Sequence, residues 1–380
     1  MSDSPHDSIE LNAPTVAVWT PPGRGAVATI RVVGKLSDRG DELFRAANRR
    51  AISDLPLDRL CFGQWGGEPT EDVVLCRDSS NSWEVHCHGG HAAVRRIVAD
   101  LTRAGCCRVD WPEQWPSAAG LLERESVVAL SQATTARTAA WIAGQVGRLS
   151  GAVAQLRPLI QAGEWAEFVA ILDGYLKWSS FGQHLTQPWS VVLAGRPNVG
   201  KSSLINALVG YERSIVFDQP GTTRDVVTAE TVFEGWPMRF SDTAGQRGSD
   251  DKLESSGIAR AREAMSAADC QVLVIDSSQP PQPEDWQLLS DWPAALIVAH
   301  KADLPDQWHD SLPSHAIRVS ALQRTGLSEL SSTIVRQLIP HLPPSEAVIP
   351  VTERQRQTLL SLREAGLRAD LNESMLTLSH

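Results

Sequence analysis

The feature that most constrains this chain is a glycine-rich loop set between an apolar run and a helix-forming one. Ser190-Val-Val-Leu-Ala194 reads as a buried strand, Gly195-Arg196-Pro197-Asn198-Val199-Gly200-Lys201-Ser202 follows, and Ser203-Leu204-Ile205-Asn206 opens a helix. GxxxxGK[ST] in a strand, loop, helix setting predicts a phosphate cradle. Its glycines let successive N–H groups of Asn198, Val199, Gly200, Lys201, Ser202 and Ser203 converge, and the helix N-terminus adds partial positive charge. Lys201 brings a full charge to the β- and γ-phosphates, and the Ser202 hydroxyl is placed to ligand Mg²⁺.

Three further elements stand in order behind that loop. Pro220-Gly221-Thr222-Thr223-Arg224-Asp225 precedes a predicted strand pair (226–233 and 238–241) that ends in Asp242-Thr243-Ala244-Gly245. An aspartate ending a strand beside a phosphate loop holds the Mg²⁺ shell, and the Gly245 N–H is placed to sense a γ-phosphate. A strand over 272–276 and an apolar run over 295–299 lead to His300-Lys301-Ala302-Asp303. Asp303 can accept from the two guanine hydrogens that adenine lacks, and the backbone of Ser320-Ala321-Leu322 can donate to the guanine O6. Together these elements predict a Ras-like α/β domain for GTP and GDP.

Composition narrows the setting. Of 380 residues, 42% are hydrophobic and 21% charged, which suits a globular chain with a sizeable core and length for two or three domains. Lys and Arg number 35 against 45 Asp and Glu, a formal charge of −10, so unspecific coating of nucleic acid is not expected. No apolar run is long enough to span a bilayer, and the polar, acidic start does not read as a signal peptide, so a cytoplasmic protein with no membrane partner is expected. The six cysteines form no CxxC pair and are expected to be reduced. The thirteen tryptophans are scattered singly, which favours packing over base stacking.

The pattern divides into an α+β N-terminal domain (1–117), a helical segment (118–187), the nucleotide domain (188–343) and a second helical segment (344–380). In the first, two β stretches over 15–33 flank Pro21-Pro22-Gly23-Arg24-Gly25, strands are predicted over 72–77 and 83–87, and a helix over 92–104. Leu121, Leu122, Val128, Leu130, Trp141 and Ile142 begin an apolar stripe in the second. Leu359, Leu360, Leu367 and Leu371 are the expected inner face of the last. Helices on both sides suggest that the nucleotide domain is inserted into a helical one. His86-Cys87-His88-Gly89-Gly90-His91 admits a metal site or a strand-end turn that needs its glycines; strand alternation puts His86 and His88 on one face and Cys87 on the other, which favours the turn.

Thr20–Gly34 (TPPGRGAVATIRVVG), the Cys87-His88-Gly89-Gly90 turn, the GRPNVGKSSLINAL loop, GTTRD and DTAG together resemble the tRNA-modification GTPase family MnmE, also called TrmE. The resemblance implies a potassium-activated GTPase that dimerises through its N-terminal domain. It also implies work with a flavoprotein on the wobble uridine of tRNA, using a folate-derived carbon unit. It implies K⁺ ligation by Asn198 and Thr222 with backbone oxygens near Phe217 and Gln219, and Mg²⁺ ligation by Ser202 and Thr223. Glu254 falls where the family places the glutamate that orients attacking water, while Gln246 stands at the position of the water-positioning glutamine of Ras-like proteins.

Three departures qualify the expectation. The family's loop of the form PGEFTxRAFLNGK, which helps build the folate pocket, should follow Cys106-Cys107-Arg108, but the chain reads Val109 to Gly120 without its arginine, phenylalanine or asparagine. No cysteine follows Cys270, where the family ends in CxGK on a longer helical half, so the chain reads as a C-terminally shortened member. His300 stands where Asn is usual. Two functions remain open on these residues: GTP hydrolysis linked to tRNA modification, or a diverged paralogue acting as a GTP-dependent regulatory or assembly switch.

Overall fold

The computed structural model describes residues 13–21, 25–35, 42–115, 120–211, 228–242 and 254–378, with 254–260 and 370–378 as backbone only. The chain falls into two compact units, Met1–Gly120 and Leu121–His380.

The first unit is one mixed sheet under a helix. Its strands are β1 (Thr15–Val18), β2 (Val27–Val33), β3 (Phe44–Ala46), β4 (Leu60–Trp65), β5 (Glu71–Arg77), β6 (Ser82–His88) and β7 (Cys107–Arg108), in the order β3-β4-β5-β6-β2-β1-β7. All neighbours are antiparallel except β1 and β7. Alternation dictates the buried face: Ala28, Ile30 and Val32 of β2 and Trp83, Val85 and Cys87 of β6 enter one core. Helix α1 (His91–Arg103) covers it with Ile97, Val98 and Leu101.

At the end of β6, His86 Nδ1 lies 3.0 Å from Thr29 Oγ1 and His88 Nδ1 lies 2.6 Å from Glu71 Oε1, while Cys87 is turned into the core. The three side chains thus serve different neighbours. A Cβ at Gly89 would sit 2.0 Å from the Gly25 carbonyl oxygen, so this turn admits no side chain there. Trp19 packs with Trp111 and Trp115, distant from it in sequence, with ring centroids 6.0–6.5 Å apart, and the Arg31 guanidinium lies 4.8 Å from the Trp19 ring. The reason is the parallel β1–β7 pairing, which carries the chain after β7 back beside the end of β1.

The second unit begins with six short helices: α2 (Gly120–Ser131), α3 (Ala136–Ala143), α4 (Arg148–Ala154), α5 (Arg157–Ala162), α6 (Trp165–Leu176) and α7 (Ser179–Gln183). A six-stranded sheet follows, built from β8 (Trp189–Ala194), β9 (Thr228–Phe233), β10 (Trp236–Asp242), β11 (Cys270–Asp276), β12 (Leu296–His300) and β13 (Ile317–Val319). The order is β13-β12-β11-β8-β10-β9, parallel except for β9 against β10. Near-continuous apolar runs in β8 and β11 are what a parallel strand covered on both faces requires. Helices α8 (Lys201–Val209), α9 (Glu254–Ala267), α10 (Pro283–Asp291) and α11 (Leu327–Leu338) accompany the sheet, and α12 (Glu353–Leu378) follows. This is the α/β architecture expected for the phosphate loop.

One hydrophobic cluster runs from the sheet into the helices: Val191, Leu193, Phe240 and Val298 pack in continuity with Ile142 of α3 and Phe181 of α7. Helix α12 adds Leu359 to a second cluster with Phe168, Val169 and Leu172 of α6. Its inner face runs through Gln355, Leu359, Leu362 and Gly366, at helical spacing, so the expected inward Leu367 is instead 36% exposed. Leu121, expected in the apolar stripe, is likewise exposed.

Two buried glutamines tie the segment before α12 to the early helices. Gln145 accepts from the Ile349 N–H and donates to the Ala347 carbonyl; Gln355 accepts from the Val351 N–H and donates to Leu122 O and Ser126 Oγ. Gly182 of α7 passes so close to Pro350 that a Cβ would lie 2.0 Å from its carbonyl oxygen. At the root of β8, His184 stacks on Trp189 with centroids 3.6 Å apart, and its Nε2 lies 3.4 Å from Asp269 Oδ1. Asp269 Oδ2 accepts from the Ser190 N–H and hydroxyl at 2.7 and 2.9 Å.

Candidate functional site

In an open parallel sheet, ligands bind beyond the carboxyl ends of the strands, and the predicted phosphate loop leaves β8 at that edge. Gly200 there has φ +99°, a backbone that a side chain disfavours. The Lys201 ammonium, 4% exposed as a residue, donates to the Gly195 and Arg196 carbonyls at 2.9 and 3.0 Å. The loop thus curls around its own lysine. Parallel pairing of β10 with β8 sets Asp242 level with Leu193, and Ser202 Oγ donates to Asp242 Oδ2 at 2.9 Å. A hydroxyl and a carboxylate side by side form a hard oxygen pair suited to Mg²⁺. Asn198 adopts φ 63°, a left-handed conformation that asparagine tolerates better than most residues.

The expected base-binding end lies on β12 and β13. Asp303 Oδ1 accepts from the buried Ser320 hydroxyl at 2.5 Å, which leaves the other carboxylate oxygen for a ligand. Ala321 and Leu322 follow, and Leu322 is 85% exposed. His300, 4% exposed, presents Nδ1 to the Val199 carbonyl at 2.8 Å, and its ring fills the space that a Cβ on Gly200 would need. Lys301 donates to Asp276 Oδ2 at 2.6 Å and to the Asn198 carbonyl at 3.3 Å. Burial alone would push the Asp276 carboxyl up, but hydrogen bonds from Lys301 and Ser278 outweigh it and hold the group below the ordinary carboxylate value.

The structure therefore brings Asn198, Val199, Gly200, Lys201, Ser202, Ser203, Asp242, His300, Lys301, Asp303, Ser320, Ala321 and Leu322 to one edge of one sheet. Phe217, Gln219, Thr222, Thr223, Gly245 and Gln246 lie outside the described residues. Glu254 is the first residue of α9, and its side chain is also outside them. Sequence reasoning missed two carboxylates. Asp276 ends the apolar strand Cys270–Asp276 just as Asp242 ends β10, a signal available in the sequence. Asp285 accepts from Arg196 Nε at 2.8 Å, a contact with no local signature.

A second concavity, of about 650 Å³, lies in the first unit and is lined by Val18, Gly25, Gly89, Arg95, Arg108 and Trp111 among others. Its wall includes Val109, Asp110 and Trp111 of the stretch after β7.

The sheet order, the phosphate loop and the paired Ser202 and Asp242 define a P-loop GTPase. A family model described as "50S ribosome-binding GTPase" matches residues 190–301. The chain is 31% identical over 400 residues to the tRNA modification GTPase MnmE of Synechococcus sp. (strain CC9605), covering 93% of this chain and 87% of that protein. It is 32% identical over 396 residues to MnmE of Chlamydia trachomatis serovar D, covering 92% and 87%. MnmE of Protochlamydia amoebophila is 29% identical over 418 residues, covering 95% and 90%. This chain belongs to the MnmE family of tRNA modification GTPases, as a divergent member.

Proposed function

We propose that the chain binds GTP in the phosphate loop, hydrolyses it to GDP and phosphate, and couples that cycle to modification of the wobble uridine of tRNA. The observation that carries the nucleotide reading is Lys201 held on two loop carbonyls beside the Ser202–Asp242 pair. The tRNA reading is supported by the relatives' names, tRNA modification GTPase. In this reading residues 188–343 are a nucleotide domain inserted between helical segments 118–187 and 344–380, after an N-terminal domain over 1–117.

Lys201 and the N–H groups from Asn198 to Ser203 neutralise charge that develops on the β–γ bridge, and they are preorganised before the reaction begins. Asp303 and the Ser320–Leu322 backbone select guanine, while His300 and Lys301 tie the base loop to the phosphate loop. Glu254 orients the attacking water; Gln246 is the second candidate. Magnesium, which when bound screens the phosphoryl oxygens, would be held by Ser202, Asp242 and Thr223, and K⁺ by Asn198 and Thr222 with backbone near Phe217 and Gln219. The protein acts in the cytoplasm as a homodimer through its N-terminal domain, with a flavoprotein partner. No described helix is long and apolar enough to cross a membrane.

Phosphate release from GTP by the full chain tests the first half: Lys201→Ala should lower the rate by about 10²–10³, as loss of a preorganised charge does elsewhere. An unchanged rate would remove the site from the reaction. Nucleoside mass spectrometry of tRNA from cells with and without the chain tests the second half, and identical wobble uridines in both would refute it.

A further inference from the structure

We propose that Asp285 is a positioning residue for the phosphate loop, acting through Arg196 on Lys201. The proposal rests on the nucleotide reading above. Asp285 lies on α10, which follows β11, and is 0% exposed. One of its oxygens, Oδ2, accepts from the Gln282 N–H at 2.9 Å and caps the helix. The other, Oδ1, accepts from Arg196 Nε at 2.8 Å.

A cap by itself needs one acceptor, and a neutral asparagine or serine supplies it without bringing charge inside. A fully buried carboxylate is costly unless it is paired and hydrogen-bonded. The helix N-terminus favours a negative charge in this first turn, and the pairing with Arg196, whose side chain is 24% exposed, adds a link to the loop that the helix does not require. Arg196 in turn is held at both ends: its guanidinium on Asp285, its carbonyl by the Lys201 ammonium at 3.0 Å. Pro197, next in the chain, has its φ fixed by its ring. The result is a strut running from the α10 carboxylate through the Arg196 backbone to the ammonium that meets the phosphates. Because its guanidinium is committed to Asp285, Arg196 serves as an anchor and not as a phosphate ligand.

The test is titration of the full chain with a fluorescent N-methylanthraniloyl GDP, with melting of the nucleotide-free protein measured in parallel. Arg196→Met keeps the side chain's bulk but not its charge and should weaken binding about tenfold, as expected for a lost charge-assisted contact. Arg196→Lys keeps the ion pair and should stay within about threefold of the unaltered chain. The double variant Arg196→Met with Asp285→Asn removes both charges and keeps an acceptor for the cap, so melting should recover toward the unaltered value while affinity stays low. Equal affinity of the Lys and Met variants, or a double variant that recovers affinity together with melting, would overturn the proposal and leave the pair as a fold staple. Absence of GDP binding by the unaltered chain would instead defeat the nucleotide reading on which the proposal rests.

Discussion

His300 Nδ1 lies 2.8 Å from the Val199 carbonyl oxygen, so a strand-end imidazole ties the end of β12 to the phosphate loop. A carbonyl accepts only, which assigns a proton to Nδ1. Nε2 is buried with no hydrogen-bond partner among the described residues. The histidine thus makes the tie with one end and leaves the other unused. An asparagine amide could keep the donor to Val199 and offer further hydrogen bonds. His300→Asn should therefore tighten GDP and GTP by a fewfold to about tenfold, the worth of one recovered hydrogen bond of roughly 0.5–1.5 kcal/mol. Titration calorimetry checks this; unchanged or weaker binding would mean that ring packing against Gly200 outweighs the recovered bond.

Base selectivity should lie with Asp303. Its second oxygen is free of Ser320, and a paired contact of this kind can reject the wrong base by up to ~10⁴–10⁵ in favourable cases. Asp303→Asn should weaken guanine nucleotides and favour xanthine ones, whose O2 accepts from the new amide. Competition binding with GDP, XDP and ADP reads the order directly, and retained guanine preference would move selectivity elsewhere.

Turnover should depend on potassium. On the proposal that Asn198 and Thr222 hold the ion, replacing KCl by NaCl at equal ionic strength should slow hydrolysis at least about tenfold, equivalent to ~1.4 kcal/mol of lost transition-state stabilisation. Glu254→Ala should lower kcat with little change in GTP affinity, since orienting water matters only in the transition state. Equal rates in the two salts would shift the water-positioning role toward Gln246.

Stability should fall in acid partly through Asp269. Burial works to raise its pKa, but hydrogen bonds from His184 and Ser190 prevail and hold it below the ordinary carboxylate value. A depressed folded value means that the stabilisation is complete above the unfolded pKa of about 3.9 and disappears as pH falls through the folded one. Asp269→Asn should cost roughly 1–2 kcal/mol at pH 7 and nothing once both forms are protonated. Melting curves from pH 7 down to below the folded value test the convergence; a constant difference throughout would point to packing.

Much of the site was legible because its motifs are local. Gly200, Lys201 and Ser202 sit together by chain geometry alone, Asp242 ends β10, and Asp303 follows β12 by three residues. What the sequence could not show depends on distant segments meeting. Arg196 and Asp285 are 89 positions apart, and nothing near either names the other. Trp19 meets Trp111 and Trp115 only because β7 pairs beside β1. Leu367 reads as core in a leucine-rich helix, yet helical spacing from Gln355 and Leu359 turns it toward solvent. Register against a partner helix decides such positions, and one sequence does not contain it.

The close passage of Gly182 and Pro350 means that the chain enters and leaves the nucleotide sheet at almost the same point. A shared core of Val191, Phe240, Ile142 and Phe181 seals that point from the side. With two ends pinned together and one cluster shared between the sheet and helices α3 and α7, these elements should melt as a single cooperative body. Ligand binding at one rim then protects amides at the far side of that body, because opening α3 requires opening the same core. A nucleotide-dependent slowing of hydrogen exchange at Ile142 would register, in a helix that touches no phosphate, whether the loop is filled.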